Sequence, residues 1–377
     1  MPTSESNRLR QIDGVIKQAE VKFALGRHAD HIEALESISE LVEQAADPSR
    51  RAAWYCWTGF FSSLTGGQLE RAIAYCRQAA AIAEAAALED LRAVAESCLL
   101  QVYTFAGDLR SAMEAGERAL AVFAARGSTW WTCRTLWNLG TAANALGRWQ
   151  RSLAYCRRAL EYALEVNDVR LRVVGWYRLG SAHALRGDPN EGLRCFEQAL
   201  ALSPNPFDAA MIKALRGRGL VIAGQIADGV AALEEAVAWF DQSHLRYTRS
   251  VFALRLAEAY LRQGSPRRAR AVLEEVLATT RKLGYRHLEG VAERLFAESL
   301  ATEDPVATAA HVELAIAIHE EVGAENELAK ALVIQAELVR RHDLPKAREH
   351  LERALILFEE LGTLDEPSRV RGILAGL

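Results

Sequence analysis

At 377 residues, half of them hydrophobic and a quarter charged, the chain has enough apolar side chains for an extensive core. Its formal net charge of −4 supplies no global positive field, so neither nucleic acid nor an anionic membrane surface is expected as a direct partner. Ala and Leu dominate the apolar set and Arg and Glu the charged one, a helix-favouring mixture. Val-Ile-Thr alternation bounded by turn signals is hard to find, and the expectation is an all-α protein.

The opening MPTSESNRLRQIDG is polar and lacks the apolar stretch of a secretory signal. The most apolar run, AAAIAEAAAL at 79–88, is interrupted by Glu84 and too short to span a bilayer. Six cysteines, at 56, 76, 98, 133, 156 and 195, contain no C-x-x-C pair. Reduced, packed thiols in a cytoplasmic protein are expected, not a disulfide framework or a zinc site.

Taken in chain order, the sequence repeats. A first copy, 12–48, has Gly26 at a turn and Ile38 as a later apolar anchor in ALGRHADHIEALESISELVEQA. The second, 49–88, has Gly67 at the turn, Ala72 after it and Ala79 as anchor; the third, 89–128, has Gly107, Ala112 and Ala119. The fourth, 129–168, has Gly147, Ser152 and Ala159, and the fifth, 169–205, has Gly187, Gly192 and Ala199. Gly224, Gly229 and Ala236 mark 206–245, and Gly264, Ala269 and Val276 mark 246–284. The last two copies, 285–323 and 324–363, keep Thr308 with Ala315 and Ala347 with Ala354 but carry Glu303 and His342 at the turn. The segment 364–377, with Pro367 near its first turn, reads as a short closing helix.

Within each copy apolar residues recur three and four apart on both sides of the turn, so two amphipathic helices meet there. Glycine supplies the left-handed conformation that ends the first helix. Small residues seven apart lie on one face of the second helix, where a larger side chain would hold its neighbours off. A pair cannot bury its face alone, and stacking completes the core.

Leu139-Gly140, Gly147, Ser152, Tyr155-Cys156 and Ala159-Leu160 resemble the tetratricopeptide repeat. So do Trp176, Leu179-Gly180, Gly187, Gly192, Phe196 and Ala199-Leu200. The period departs from the standard repeat, being near 40 residues where that has 34. LEYALEVND and VLATTRKLG are similar to the joints of the MalT-like long-repeat variant, found in bacterial signalling ATPases, cyclase-linked regulators and LuxR-type activators. The resemblance, over roughly residues 15–365, implies a right-handed α-solenoid of about nine antiparallel helix pairs forming one domain over 1–377.

The other parts of those regulators are absent from the sequence. There is no G-x-x-x-x-G-K-[ST], and the final repeat occupies the place of a LuxR-type helix-turn-helix. Gly217-Arg218-Gly219 begins a G-x-G-x-x-G, but Ile222 stands at the third glycine and no strand precedes it. No H-E-x-x-H or G-x-S-x-G occurs. His28 and His31 lie one turn apart without further ligands. Cys76 and Cys156 share an apolar repeat position, and Glu320-Glu321 and Glu359-Glu360 sit on solvated faces. No catalysis, metal or cofactor is expected.

The resemblance also implies that the first helices line a concave face. Carrying its groove positions over gives Trp54, Trp57 and Phe61, then Ser97, Gln101 and Phe105, then Arg134, Trp137, Thr141 and Asn144. Tyr177, Ser181, Met211 and Arg218 follow, and then Glu258 and Arg262. Trp130 and Trp131 stand at the start of a first helix, where they would cap the stacking. Aromatic and Arg side chains supply much of the energy of partner binding, and Asn can hold a peptide backbone. The expected function is a non-catalytic scaffold binding a protein segment or peptide, with self-association left open. The alternative is a ligand- or peptide-sensing switch whose superhelix changes pitch, similar to the tetratricopeptide peptide receptors of Gram-positive bacteria. An enzyme of unrecognised type is the third reading.

Overall fold

Gly107, Gly127, Gly147, Asn167 and Gly187 all take positive φ, and they stand twenty residues apart. Each such residue ends one helix and lets the next fold back against it, so the spacing of these turns sets the architecture. The computed structural model describes residues 5–377; residues 1–4, part of the polar opening segment, lie outside them. Every regular element among the described residues is a helix. Four short ones come first: α1 (Glu5–Ile16), α2 (Ala19–Ala24), α3 (His28–Ser37) and α4 (Ser39–Ala45). Then follow the pairs α5 (Pro48–Leu64) with α6 (Leu69–Ala85), α7 (Glu89–Ala106) with α8 (Leu109–Ala125), and α9 (Thr129–Ala145) with α10 (Trp149–Glu165). The series continues with α11 (Val169–Arg186) and α12 (Pro189–Leu200), α13 (Pro206–Ile222) and α14 (Ile226–Gln242), and α15 (Arg246–Arg262) and α16 (Pro266–Leu283). It ends with α17 (Arg286–Leu300) and α18 (Pro305–Val322), α19 (Glu325–Val339) and α20 (Leu344–Leu361), and the closing α21 (Glu366–Ala375). Among the described residues no helix is long and apolar enough to cross a membrane.

The anchors Ala79, Ala119, Ala159, Ala199, Ala236, Val276, Ala315 and Ala354 are all buried. Opposite them, Gly140 shows why the first helix needs a small residue. A β-carbon there would stand 2.8 Å from the Cys156 sulfur, and the Ser152 hydroxyl donates to the Gly140 carbonyl at 3.0 Å. Among the helix pairs, the joints after α17 and α19 lack a left-handed residue and have aspartate caps: Asp304 accepts from the Val306 and Ala307 amides, and Asp343 from Lys346.

Two expectations need correction. The α5–α6 turn uses Gly66, at φ +86°, and not Gly67, whose amide instead donates to the Ser62 carbonyl. The front segment is four short helices, from Glu5 to Ala45, in place of one pair. The Ser37 hydroxyl bonds back to the Ala34 carbonyl at 2.8 Å, and Ile38, at φ −103° and ψ 3°, interrupts the helix there.

Beyond neighbour stacking, the superhelix touches itself. A β-carbon on Gly107 would meet the His287 amide nitrogen at 2.9 Å, one on Gly147 the Asn326 Cβ at 3.1 Å, and one on Gly187 the Asp365 amide nitrogen at 2.8 Å. These partners lie 180, 179 and 178 residues further on (287 − 107, 326 − 147, 365 − 187). Between the same turns the Phe105 and Tyr247 rings stack with centroids 3.7 Å apart. The Trp149 indole donates to the Thr363 hydroxyl at 2.9 Å, the Arg186 Nε to the Gly362 carbonyl at 3.1 Å, and the Leu364 amide to the Arg186 carbonyl at 2.8 Å. The accessible surface of 16,365 Å² is only about a tenth above that of a close-packed monomer of this size.

The contact between turns can be isolated with two glycines of nearly equal φ, Gly107 at +87° and Gly224 at +85°. A β-carbon at Gly224 meets nothing within 4 Å, so Gly224→Ala should cost only the left-handed penalty of about 1–2 kcal/mol. Gly107→Ala should cost about 1–3 kcal/mol more, from the clash with the second turn. Equal losses in urea unfolding would mean that the turns do not touch.

Candidate functional site

The first helices of successive pairs converge on a cavity of about 270 Å³. Its walls come from α2, α3, α5, α7, α9, α11, α13, α15, α17 and α19, with only Trp149 and Cys156 contributed by a second helix. Its lining includes aromatic and apolar side chains, Phe105, Trp137, Tyr177, Phe207, Met211, Leu215, Tyr247 and Phe252. Charged ones stand among them, Arg134, Arg170, Arg178, Arg218 and Arg255 with Asp208 and Glu327.

Of the sequence-derived groove residues, Gln101, Phe105, Arg134, Trp137, Thr141, Asn144, Tyr177 and Arg218 line this cavity, as do Ser181 and Met211. Trp54, Trp57 and Phe61 do not, which corrects their placement. The short front helices meet Trp54 and Phe61 on this face of α5, and Trp57 packs against Trp131 of α9. Trp54 donates its indole N–H to the Leu35 carbonyl at 2.7 Å, Phe61 meets His31 edge to face, and all three are buried. Ser97 is also buried, bonded to Thr135 and Arg134, while Glu258 and Arg262 border a smaller cleft beside Arg218. Trp130 and Trp131 join the cage around Arg134. Sequence reasoning missed Arg178, Arg255, Tyr247, His287, Asn326 and Glu327. The first two carried no distinguishing signal, since α11 and α15 each hold three further arginines.

The buried charges differ in how they are satisfied. Burial pushes the Asp208 carboxyl up against the pull of Arg170, and Asp208 accepts from Asn205 at 2.7 Å and from the Tyr177 hydroxyl at 3.3 Å. Arg294 donates to Glu327 at 2.8 Å, and Lys330 lies 3.2 Å from the same carboxylate. Burial disfavours the Glu258 anion, yet Lys330, Arg218 and Arg255 outweigh it and hold its carboxyl well below the usual range. The Arg134 guanidinium lies 4.7 Å from the Phe60 ring centroid and within 6 Å of those of Phe23, Trp130 and Trp131, and donates to Ser97 at 3.1 Å. Arg178 donates to Thr141 at 2.8 Å.

Several cavity-lining polar atoms are buried with no partner among the described residues: Trp137 Nε1, Asn144 Oδ1, Arg178 Nε, Arg218 Nε and His287 Nδ1. Buried polar groups are nearly always paired, so such a cluster calls for a cause. Among the described residues no group of three His, Cys, Asp or Glu could hold a metal. His28 and His31 instead pack against Phe23 and Phe61.

Two family models described as tetratricopeptide repeat match the chain, one over residues 131–205 and one over 253–289. No curated protein matches the sequence. Among solved structures, NprR in complex with its cognate peptide NprX is similar in fold: it is 12% identical with a TM-score of 0.63, over 81% of this chain and 86% of that one. A Rap protein complexed with Competence and Sporulation Factor is 14% identical with a TM-score of 0.49, over 97% and 86% of the two chains. A signal-transduction ATPase with a tetratricopeptide-repeat sensor, from Pyrococcus horikoshii, is also 14% identical, with a TM-score of 0.45 over 90% and 54%.

Burial depresses His287 to about 4 and His319 to about 3, from an ordinary 6.5. Both are neutral, folded or unfolded, at pH 7.5. As pH falls through 6.5 the unfolded chain takes up protons that the folded chain refuses, so stability is present above that value and is lost below it. His319 alone should cost about 2 kcal/mol at pH 5. The melting temperature should therefore drop between pH 7.5 and 5, and His319→Leu should make the drop shallower. A parallel fall in both proteins would count against the assignment.

Proposed function

We propose that this chain, which matches tetratricopeptide-repeat models over residues 131–205 and 253–289, takes a short peptide segment into the cavity inside its superhelix, without catalysing a reaction. The observation that carries this reading is the set of unpaired buried polar atoms on the cavity walls, Trp137 Nε1 and Asn144 Oδ1 among them. An amide such as Asn144 offers a peptide group a donor and an acceptor at once. The aromatic wall gives side chains an apolar bed. At about 270 Å³ the cavity is near the lower end of the ~300–1,000 Å³ range of ligand pockets. NprR, of the same fold, is solved around its own cognate peptide.

A switch reading is favoured over a static scaffold by one feature. The cavity is bounded by both turns of the superhelix, Phe105 from one stacking on Tyr247 from the other. A ligand that touches both turns would act on the distance between them, so its binding energy could shift the pitch. The bacterial signalling setting rests on the likeness of the long repeats to the MalT-like variant. A reducing cytoplasm suits the six free, buried thiols.

A pool of tetrapeptides passed over the immobilised protein, with retained members read by mass spectrometry, tests the reading. Trp137→Phe with Asn144→Ala should lose the retained set while the melting temperature moves little; phenylalanine keeps most of the packing that alanine would remove. On binding, amide exchange at Leu364, whose N–H bonds to the Arg186 carbonyl, should quicken. Equal retention by the variant would exclude the cavity as the site.

A further inference from the structure

The Gly217-Arg218-Gly219 stretch, which forms no nucleotide motif, has a different use in the fold. A β-carbon on Gly217 would crowd the Ala232 Cβ and the Gly229 carbonyl of α14 at 3.1 Å, and one on Gly219 would lie 3.2 Å from Leu193 of α12. The two glycines let α13 press against neighbours on both flanks. The residue between them falls on the stripe of Met211 and Leu215, which faces the cavity.

Arg218 is only 9% exposed. Among the described residues it makes no hydrogen bond and no ion pair, and its Nε is buried without a partner. Burial and the Arg255 charge push it down to about 9, against the attraction of Glu258 and Glu327. The other arginines lining the cavity are engaged, Arg170 facing Asp208 at 3.7 Å. Arg255 pairs with Glu258 at 3.3 Å, Arg178 donates to Thr141, and Arg134 sits among its four aromatic rings. A buried guanidinium left this way is costly unless an anion meets it.

We propose that the ligand of this cavity carries an acid group on an apolar body, and that Arg218 receives the acid group. This rests on the cavity being a ligand site. On the peptide reading, the acid is the terminal carboxylate of a short apolar peptide, and a small organic acid would offer the same chemistry.

Two fluorescent probes of one shape separate the claims: 8-anilinonaphthalene-1-sulfonate, which is anionic, and N-phenyl-1-naphthylamine, which is not. The wild-type protein should bind the anionic dye about tenfold or more tightly than the neutral one, although the neutral dye is the more apolar. Arg218→Gln should remove that preference and leave the neutral dye unaffected. Equal affinity for the two dyes in the wild-type protein would overturn the proposal, and needs no variant to fold. Binding of neither dye would instead overturn the cavity as a ligand site.

Free-acid and C-terminally amidated tetrapeptide pools then distinguish the source. Retention of the acid pool alone, lost in Arg218→Gln, supports the peptide carboxylate. Equal retention of both pools overturns the proposal. Retention of neither, with the dye preference intact, supports the acid group and overturns the peptide reading.

Discussion

The approach of Gly107 to the His287 backbone is the contact on which the rest of this structure depends. In most repeat arrays each unit meets only its neighbours. Here the chain bends so steadily that a turn glycine meets a joint 180 residues downstream. The bend follows from joints twenty residues apart, most closed by a left-handed residue with little slack on either side. Once the turns meet, the inward faces of the first helices surround a cavity that stays partly open to solvent. Stability, too, ceases to be a sum over neighbours. Loss of the Trp149–Thr363 or Arg186–Gly362 bonds would loosen units far apart in sequence.

Local signals were the ones legible in the sequence. Ala159 and Gly140 could be read because each meets a partner within its own or an adjacent helix, and the same spacing recurs along the chain. Asn144 and Trp137 stood out because other copies lack them. What could not be read depends on ends and on distance. Trp54, Trp57 and Phe61 occupy groove positions by register, but they belong to the first full pair, where the preceding helices meet Trp54 and Phe61 and Trp131 meets Trp57. Tyr247, His287 and Asn326 reach the cavity only because the superhelix returns upon itself, and no periodicity in one copy reveals that. Arg218 was legible by position, while the reason for its flanking glycines became visible only with α12 and α14 in place.

The cavity holds its charge unevenly. Asp208 and Glu327 are tied into networks with several donors, so they act as fixed parts of the wall. Arg134 is stabilised by ring faces in place of a carboxylate. Arg218 feels the field of Glu258 and Glu327 but makes no hydrogen bond or ion pair with them among the described residues. A buried group that the fold leaves uncompensated is a common mark of a site, because binding can then repay what folding left outstanding.

Small-angle X-ray scattering of the ligand-free protein tests the self-contacting superhelix most directly. A chain of 377 residues wound onto itself should give a radius of gyration near the ~21 Å of a compact domain of this length, with a single-peaked pair-distance distribution. A clearly larger radius with an elongated distribution would mean an open solenoid. The turns would then not meet, and the cavity they surround would not exist in solution.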